Sequence, residues 1–310
     1  QTSQLTTTQM SALSTTGLSG LSDTQVAALT STQINVLTTK QISALTTTAA
    51  ASLTLDQITS LNTTLLRAMT ATQIAAFSND QIAALTTLQM TALATNQIKG
   101  MTATQMGAIS DAQLAVMTSA QMNVLTATQL AGMSSDKIAE LSATQLLGLS
   151  VGTIAGLSGD SLSGLTTTQM GQLSTNQIKS LSASGLSSLT TEQVTALSMT
   201  QIRYINGTAL KGLTAEQLDA FDTTTLQALS TTQIRSLSAT QISELNPDDL
   251  ASLTTTQLKS LTATEAAALS GDQVAALDTN QVASLTTTLI MGLTATAIGG
   301  LSNTQVAALS

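Results

Sequence analysis

The chain of 310 residues contains no cysteine and no histidine. The first absence excludes disulfides, thiolate nucleophiles and zinc–thiolate centres. The second removes the commonest general base and metal ligand. Aromatic residues make up 1% and charged residues 8%. Lys and Arg number 9 against 17 Asp and Glu, a net charge of −8, which argues against nucleic acid as a partner because phosphate recognition requires basic patches. No apolar run approaches the roughly 18 residues of a membrane span, so no membrane insertion is expected. No signal peptide is visible. The chain starts at Gln1 inside a repeat and stops at Ser310, one residue into another, and so reads as a processed protein or a window on a longer array.

Apolar residues and hydroxyls fill the chain instead. Hydrophobic residues amount to 42%, and Ser plus Thr account for 95 of 310 residues, so a continuous core is available under a surface wetted by hydroxyls and amides. A large aliphatic residue or Phe recurs at every eighth position, from Leu5, Leu13 and Leu21 through Met69, Phe77 and Ile205 to Leu309, without insertion or deletion. Residues 1–310 are therefore expected to form a single uninterrupted octapeptide-repeat array, part of a longer array or polymer.

With that residue as position 0, position 1 is Ser, Thr, Asn or Asp in 38 of 39 cases, Ala94 being the exception. These are the preferred helix N-caps. Gln stands at position 4 in 25 of 38 octads, where it closes a capping box, and positions 0 and 5 then form a hydrophobic staple. Pro247 follows Asn246 at the first helical position, where a missing N–H costs nothing. Fourteen of 17 acids lie at positions 1 to 4. Seven of nine bases lie at position 6: Arg67, Lys99, Lys179, Arg203, Lys211, Arg235 and Lys259. That polarity suits the dipole of a short helix.

One long helix is excluded, because eight residues advance the apolar stripe by roughly 80° and wrap it around every face. The expected fold is all-α, a repeat solenoid or superhelical coil of very short capped helices. Each helix makes about one and a half turns before a sharp corner at position 0. The alternative is a β-solenoid with two or three octads per coil, favoured by Thr propensity but opposed by Asp222, Asp278 and the stretch 246–249. Position 7 is Ala, Gly or Ser in 31 of 38 octads, small enough for close backbone approach between neighbours; Glu140, Tyr204 and Glu244 mark places where that approach opens.

Candidate chemistry dissolves into this pattern. Asp248 and Asp249, the one adjacent acidic pair, fall in a first helical turn where acids are expected. Ser134 and Lys137 are a cap and an occupant of the Gln slot. Acids are too scattered for a calcium ladder. Met90, Met101, Met106, Met117, Met122 and Met133 alternate between positions 0 and 5, as a core would. Asn62 and Asn206 begin Asn-x-Thr sequons but occupy cap positions. The Gln column could stack as an amide ladder or close capping boxes; Lys137, Thr153, Ser161, Asp249 and Glu265 in the same slot favour the second. No catalytic, cofactor-binding or metal-ligating residue is assigned, no cofactor is called for, and the chain is not expected to be an enzyme.

Octads such as Leu37 to Ala44 and Leu237 to Glu244 resemble the low-complexity octad repeats of very large bacterial surface and secreted adhesin-like proteins. The resemblance implies an extracellular or cell-surface structural role as a filament, adhesin stalk or biofilm-matrix fibre, with self-association or end-to-end continuation and glycans on surface Ser and Thr. The alternative function, tied to a β fold, is an ice- or surface-binding solenoid using runs such as Thr6-Thr7-Thr8 and Thr254-Thr255-Thr256.

Overall fold

The computed structural model describes residues 4–309 and contains 38 helices of four to six residues, numbered from α1 (Thr7–Ala12) to α38 (Asn303–Ala308). No strand occurs among the described residues. The chain divides into two compact bodies, Gln1–Gly164 and Leu165–Ser310, and both are built on the same octad. The expected solenoid of short capped helices is what forms. The β-solenoid is not, because each octad carries a start signal that satisfies the backbone locally, leaving no extended segment to seek a ladder.

Helix α5 (Thr39–Ser43) shows the start. Thr38 is extended (φ −80°, ψ 163°), its hydroxyl accepts from the Gln41 N–H at 3.3 Å, and its own N–H donates to Gln41 Oε1 at 2.7 Å. Ala94 heads α12 (Thr95–Gly100) without a side-chain oxygen, and there Gln97 Oε1 alone supports the end, accepting from the Ala94 N–H at 2.7 Å. The stop is equally regular. The position 0 N–H donates to the position 5 carbonyl, as from Met69 to Leu66 at 3.2 Å, while the residue itself turns extended (Met69 φ −64°, ψ 143°). That conformation is open to every L-residue. No described residue has positive φ, so the corners need neither glycine nor a cis peptide.

Within each body, a helix packs on the helix three further along, as α5 does on α8 (Thr63–Ala68) and α30 (Ala239–Glu244) does on α33 (Ala263–Ala267). Positions 0 and 5 fill the interior: Ile42, Ile58, Leu66, Ile74 and Ile82 are fully buried, and Leu45, Leu53, Leu61, Met69 and Phe77 lie at 2–5% exposure. The following turn supplies the cover for position 5. Ile298 and Val306, which hold that slot in the last described turn, are 44% and 51% exposed.

Small residues at position 7 allow this close stacking, against position 2 of the turn before rather than against the adjacent octad. A Cβ placed on Gly132 would meet the backbone carbonyl of Ala103, and one placed on Gly212 that of Ala183. Their φ angles are ordinary, so glycine serves here for proximity and not for backbone freedom. Glu140, Glu244 and Tyr204, three of the larger residues at position 7, are exposed.

Candidate functional site

A position 0 corner leaves a problem in the interior. Its carbonyl belongs to no helix, yet its octad is buried beneath the next turn, and an unpaired buried carbonyl is costly. The Gln at position 4 of an octad in that next turn solves it. Gln73 Nε2 donates to the carbonyl of Leu45 at 2.7 Å and of Ile42 at 3.0 Å, while its Oε1 accepts from Thr70 N–H at 2.7 Å. The bond from Gln73 to Leu45 spans 28 residues. A bond of the same span recurs from Gln57 to Leu29 at 2.6 Å, Gln105 to Phe77 at 2.8 Å, Gln217 to Leu189 at 2.7 Å and Gln273 to Leu245 at 2.7 Å. Dividing 28 by the octad length of 8 gives 3.5 octads per turn.

One amide therefore performs two tasks. Its oxygen closes the capping box of its own helix and its nitrogen clamps the preceding turn. The capping role read from the sequence is correct but is half of the account; no Gln-to-Gln ladder is needed, because the nitrogen's partners are carbonyls. The other occupants separate the two tasks. Lys137 Nζ donates to the carbonyls of Gly107, at 2.6 Å, and Ile109, keeping the clamp and giving up the box. Glu265, 4% exposed, accepts from Thr262 N–H at 2.6 Å, keeping the box; a carboxylate brings no N–H to the turn before. Thr153 reaches Leu125 O at 2.6 Å with its hydroxyl. Sequence reasoning missed the clamp, although the near-uniform choice of Gln over Glu in a capping box was a signal for it: only the amide carries a donor.

The residues with catalytic or binding potential are placed as follows. Asp248 and Asp249 lie in the first turn of α31 (Pro247–Ser252), after the Asn246 cap. Asn246 Nδ2 donates to Asp219 Oδ1 and to Asp249 Oδ2, each at 2.6 Å. Partial burial, with the Asp219 charge beside it, raises the pKa of Asp249 above its ordinary value. Asp222, by contrast, is lowered by hydrogen bonds from Thr225, which it caps, and Glu192 by bonds at its own helix start. Ser134 caps α17 (Ser135–Ala139) by accepting from the Lys137 backbone N–H at 3.3 Å, while the Lys137 ammonium reaches the turn before, so the hydroxyl and the ammonium do not meet as a catalytic pair would. The six clustered methionines are buried at 0–6% exposure. Among the described residues, no three acids converge as a metal site would require.

The sequon asparagines are structural members. Asn62 Oδ1 accepts from Leu65 N–H at 2.9 Å and its Nδ2 donates to Asn35 Oδ1 on the turn before, at 2.9 Å. Asn206 Nδ2, in turn, donates to the carbonyls of Lys179 and Leu181 at 2.8 and 3.1 Å. Shallow open furrows cross the surface, two of which run past basic side chains. One, of about 400 Å³, runs past Lys99, Thr126 and Ser150; the other, of about 650 Å³, runs past Arg235, Lys259, Thr232 and Thr256. No helix among the described residues is long and apolar enough to cross a membrane.

The family profile described as the ALTTAQ repeat matches residues 2–39, 56–87, 63–95, 220–255 and 242–279. Its six letters correspond to positions 7, 0, 1, 2, 3 and 4 of the octad, from the small residue that stacks to the Gln that clamps. Comparison with curated proteins gives no match. The chain is an octad-type tandem-repeat protein, and segments in both of its compact bodies are similar to the ALTTAQ repeat.

Proposed function

We propose that the chain is a non-catalytic structural element, an extracellular or cell-surface repeat that extends as a filament, stalk or matrix fibre. The observation that carries this reading is the clamp. The interface between one turn and the next is the same at Gln57, Gln105, Gln217 and Gln273, and it consumes the polar side chains that chemistry would otherwise use. Such an interface can be made by a following turn of the same chain or by the first turn of another, so end-to-end continuation needs no new contact type.

Negative-stain microscopy and sedimentation of the purified chain test the assembly. Threads, or species that lengthen with concentration, are expected; a single particle of one size at every concentration would sink the end-to-end part of the proposal. Fractionation with an antibody tests the location, and recovery from the cytosol alone would refute it. The ice-binding alternative rested on flat hydroxyl rows of a β-sheet, and those rows do not form here; Thr254, for instance, is the cap of α32 (Thr255–Leu258).

A further inference from the structure

Side-chain hydrogen bonds between turns join residues 25 to 31 apart, centred on the clamp. Residues one such period apart thus lie over one another, and residues half a period apart lie on opposite sides of a body. At that pitch the charges separate. In the body Leu165–Ser310, Arg203 and Lys211 flank the point one turn beyond Lys179, Arg235 lies two turns beyond it, and Lys259 lies close to three. The acids fall on the other side. Glu192 follows Lys179, Glu216 follows Arg203, Asp248 follows Arg235 and Asp272 follows Lys259, each by close to half a turn, and Asp222 stands in the same relation to Lys211. Glu216, Glu244 and Asp272 are spaced by full turns, and Asp219 and Asp249 come close enough for Asn246 to bridge them.

The body Gln1–Gly164 repeats the arrangement independently. Asp56 follows Lys40, Asp80 follows Arg67 and Asp111 follows Lys99, each by about half a turn, while Asp56, Asp80, Asp111 and Asp136 recur about once per turn. Apart from half-buried Asp249, all these charges are exposed. Asp160, Lys137 and Glu265 are out of phase; the last two occupy the position 4 slot, where their groups serve caps and clamps. The helix dipole explains why acids precede bases within an octad. It does not choose which octads are charged, so the two faces are a property of the surface.

We propose that these faces are the two halves of a lateral interface between copies of the chain, the basic face of one copy against the acidic face of the next. Both faces repeat once per turn, so they match in pitch along a body. Because they lie on opposite sides, the contact is heterologous and leaves a free face of each kind, which lets it propagate. A polyanion would cover only the basic side and leave the more numerous acids unmatched. This surface is separate from the turn-to-turn interface and does not depend on the stalk reading.

Sedimentation velocity of the full chain in about 20 mM against about 500 mM NaCl tests it, since exposed charge pairs are screened at the higher salt. Association at low salt, weakened about tenfold or more at high salt, is the expected result. The quadruple variant R203E/K211E/R235E/K259E should associate at least tenfold more weakly, as should E192K/E216K/E244K/D272K, since each leaves only the body Gln1–Gly164 with both faces, and each should keep the parent helical circular dichroism. Mixing the two variants should restore it. Salt-independent sedimentation, or variants that associate like the parent, would overturn the proposal. So would a chain that stays monomeric at low salt while its basic face retains heparin, because that outcome assigns the face to a polyanion.

Discussion

Replacing Gln73 by Leu removes the clamp and the box together while keeping the space filled. Gln73 is 1% exposed, and Leu65 and Leu289 occupy the equivalent slot at 3% and 2% exposure, so the shape is tolerated. The change strands the Thr70 N–H and the Leu45 carbonyl and removes a long bond, 3.4 Å, to the Ser43 carbonyl; Ile42 O keeps its bond from Leu45 N–H at 3.3 Å. An unpaired buried polar group costs about 1–3 kcal/mol. The new apolar burial returns roughly 1–2 kcal/mol. A net loss of about 2 kcal/mol follows, read by urea unfolding with circular dichroism. Stability here lies largely in coupling between turns, so amide protection should fall around both Ile42–Leu45 and Thr70–Ile74. Gln73→Glu sharpens the test: it keeps the acceptor for Thr70 but faces the Leu45 carbonyl with another oxygen. A Leu variant within about 0.3 kcal/mol of the parent, or a Glu variant equal to it at pH 7, would refute the clamp.

Three further outcomes follow from the same geometry. Glu265→Gln supplies the missing donor toward the carbonyl of Leu237, one turn earlier, and should raise stability by about 1 kcal/mol in calorimetry. Gly212→Ala drives a methyl into the Ala183 carbonyl and should cost about 1–3 kcal/mol, whereas Gly152→Ala, with only Ser150 Oγ at 3.8 Å, should be neutral or slightly stabilising in thermal melts. Asp249 has a raised folded-state pKa, so its ionisation opposes folding; this loss sets in as pH rises through the carboxylate range. Asp249→Asn should therefore raise the melting temperature slightly at pH 7, and the difference should vanish when the parent carboxyl is protonated.

Much of the helix was legible because its signals are local. Thr38 and Gln41 belong to one octad, and their capping box closes wherever the rest of the chain lies. Asn62 as a cap, the six methionines as core and Pro247 at a helix start could be read for the same reason. The small residue at position 7 announced a close approach but not its partner. Gly212 meets Ala183, and nothing in the octad names a residue a full turn away. The candidate site was half legible: the Gln oxygen acts within its octad, whereas the nitrogen acts across 28 residues.

By itself the sequence determined that every octad begins a helix at position 1, ends it at position 0 and turns positions 0 and 5 inward, since capping and burial are decided inside the repeat. The tertiary structure alone decided that 3.5 octads make a turn, because that number depends on how tightly backbones stack and which orphan carbonyls the Gln amides can reach. It decided the surface as well. Charges such as Lys179 and Glu192, scattered along the chain, become a basic and an acidic face only when residues one turn apart are brought into line.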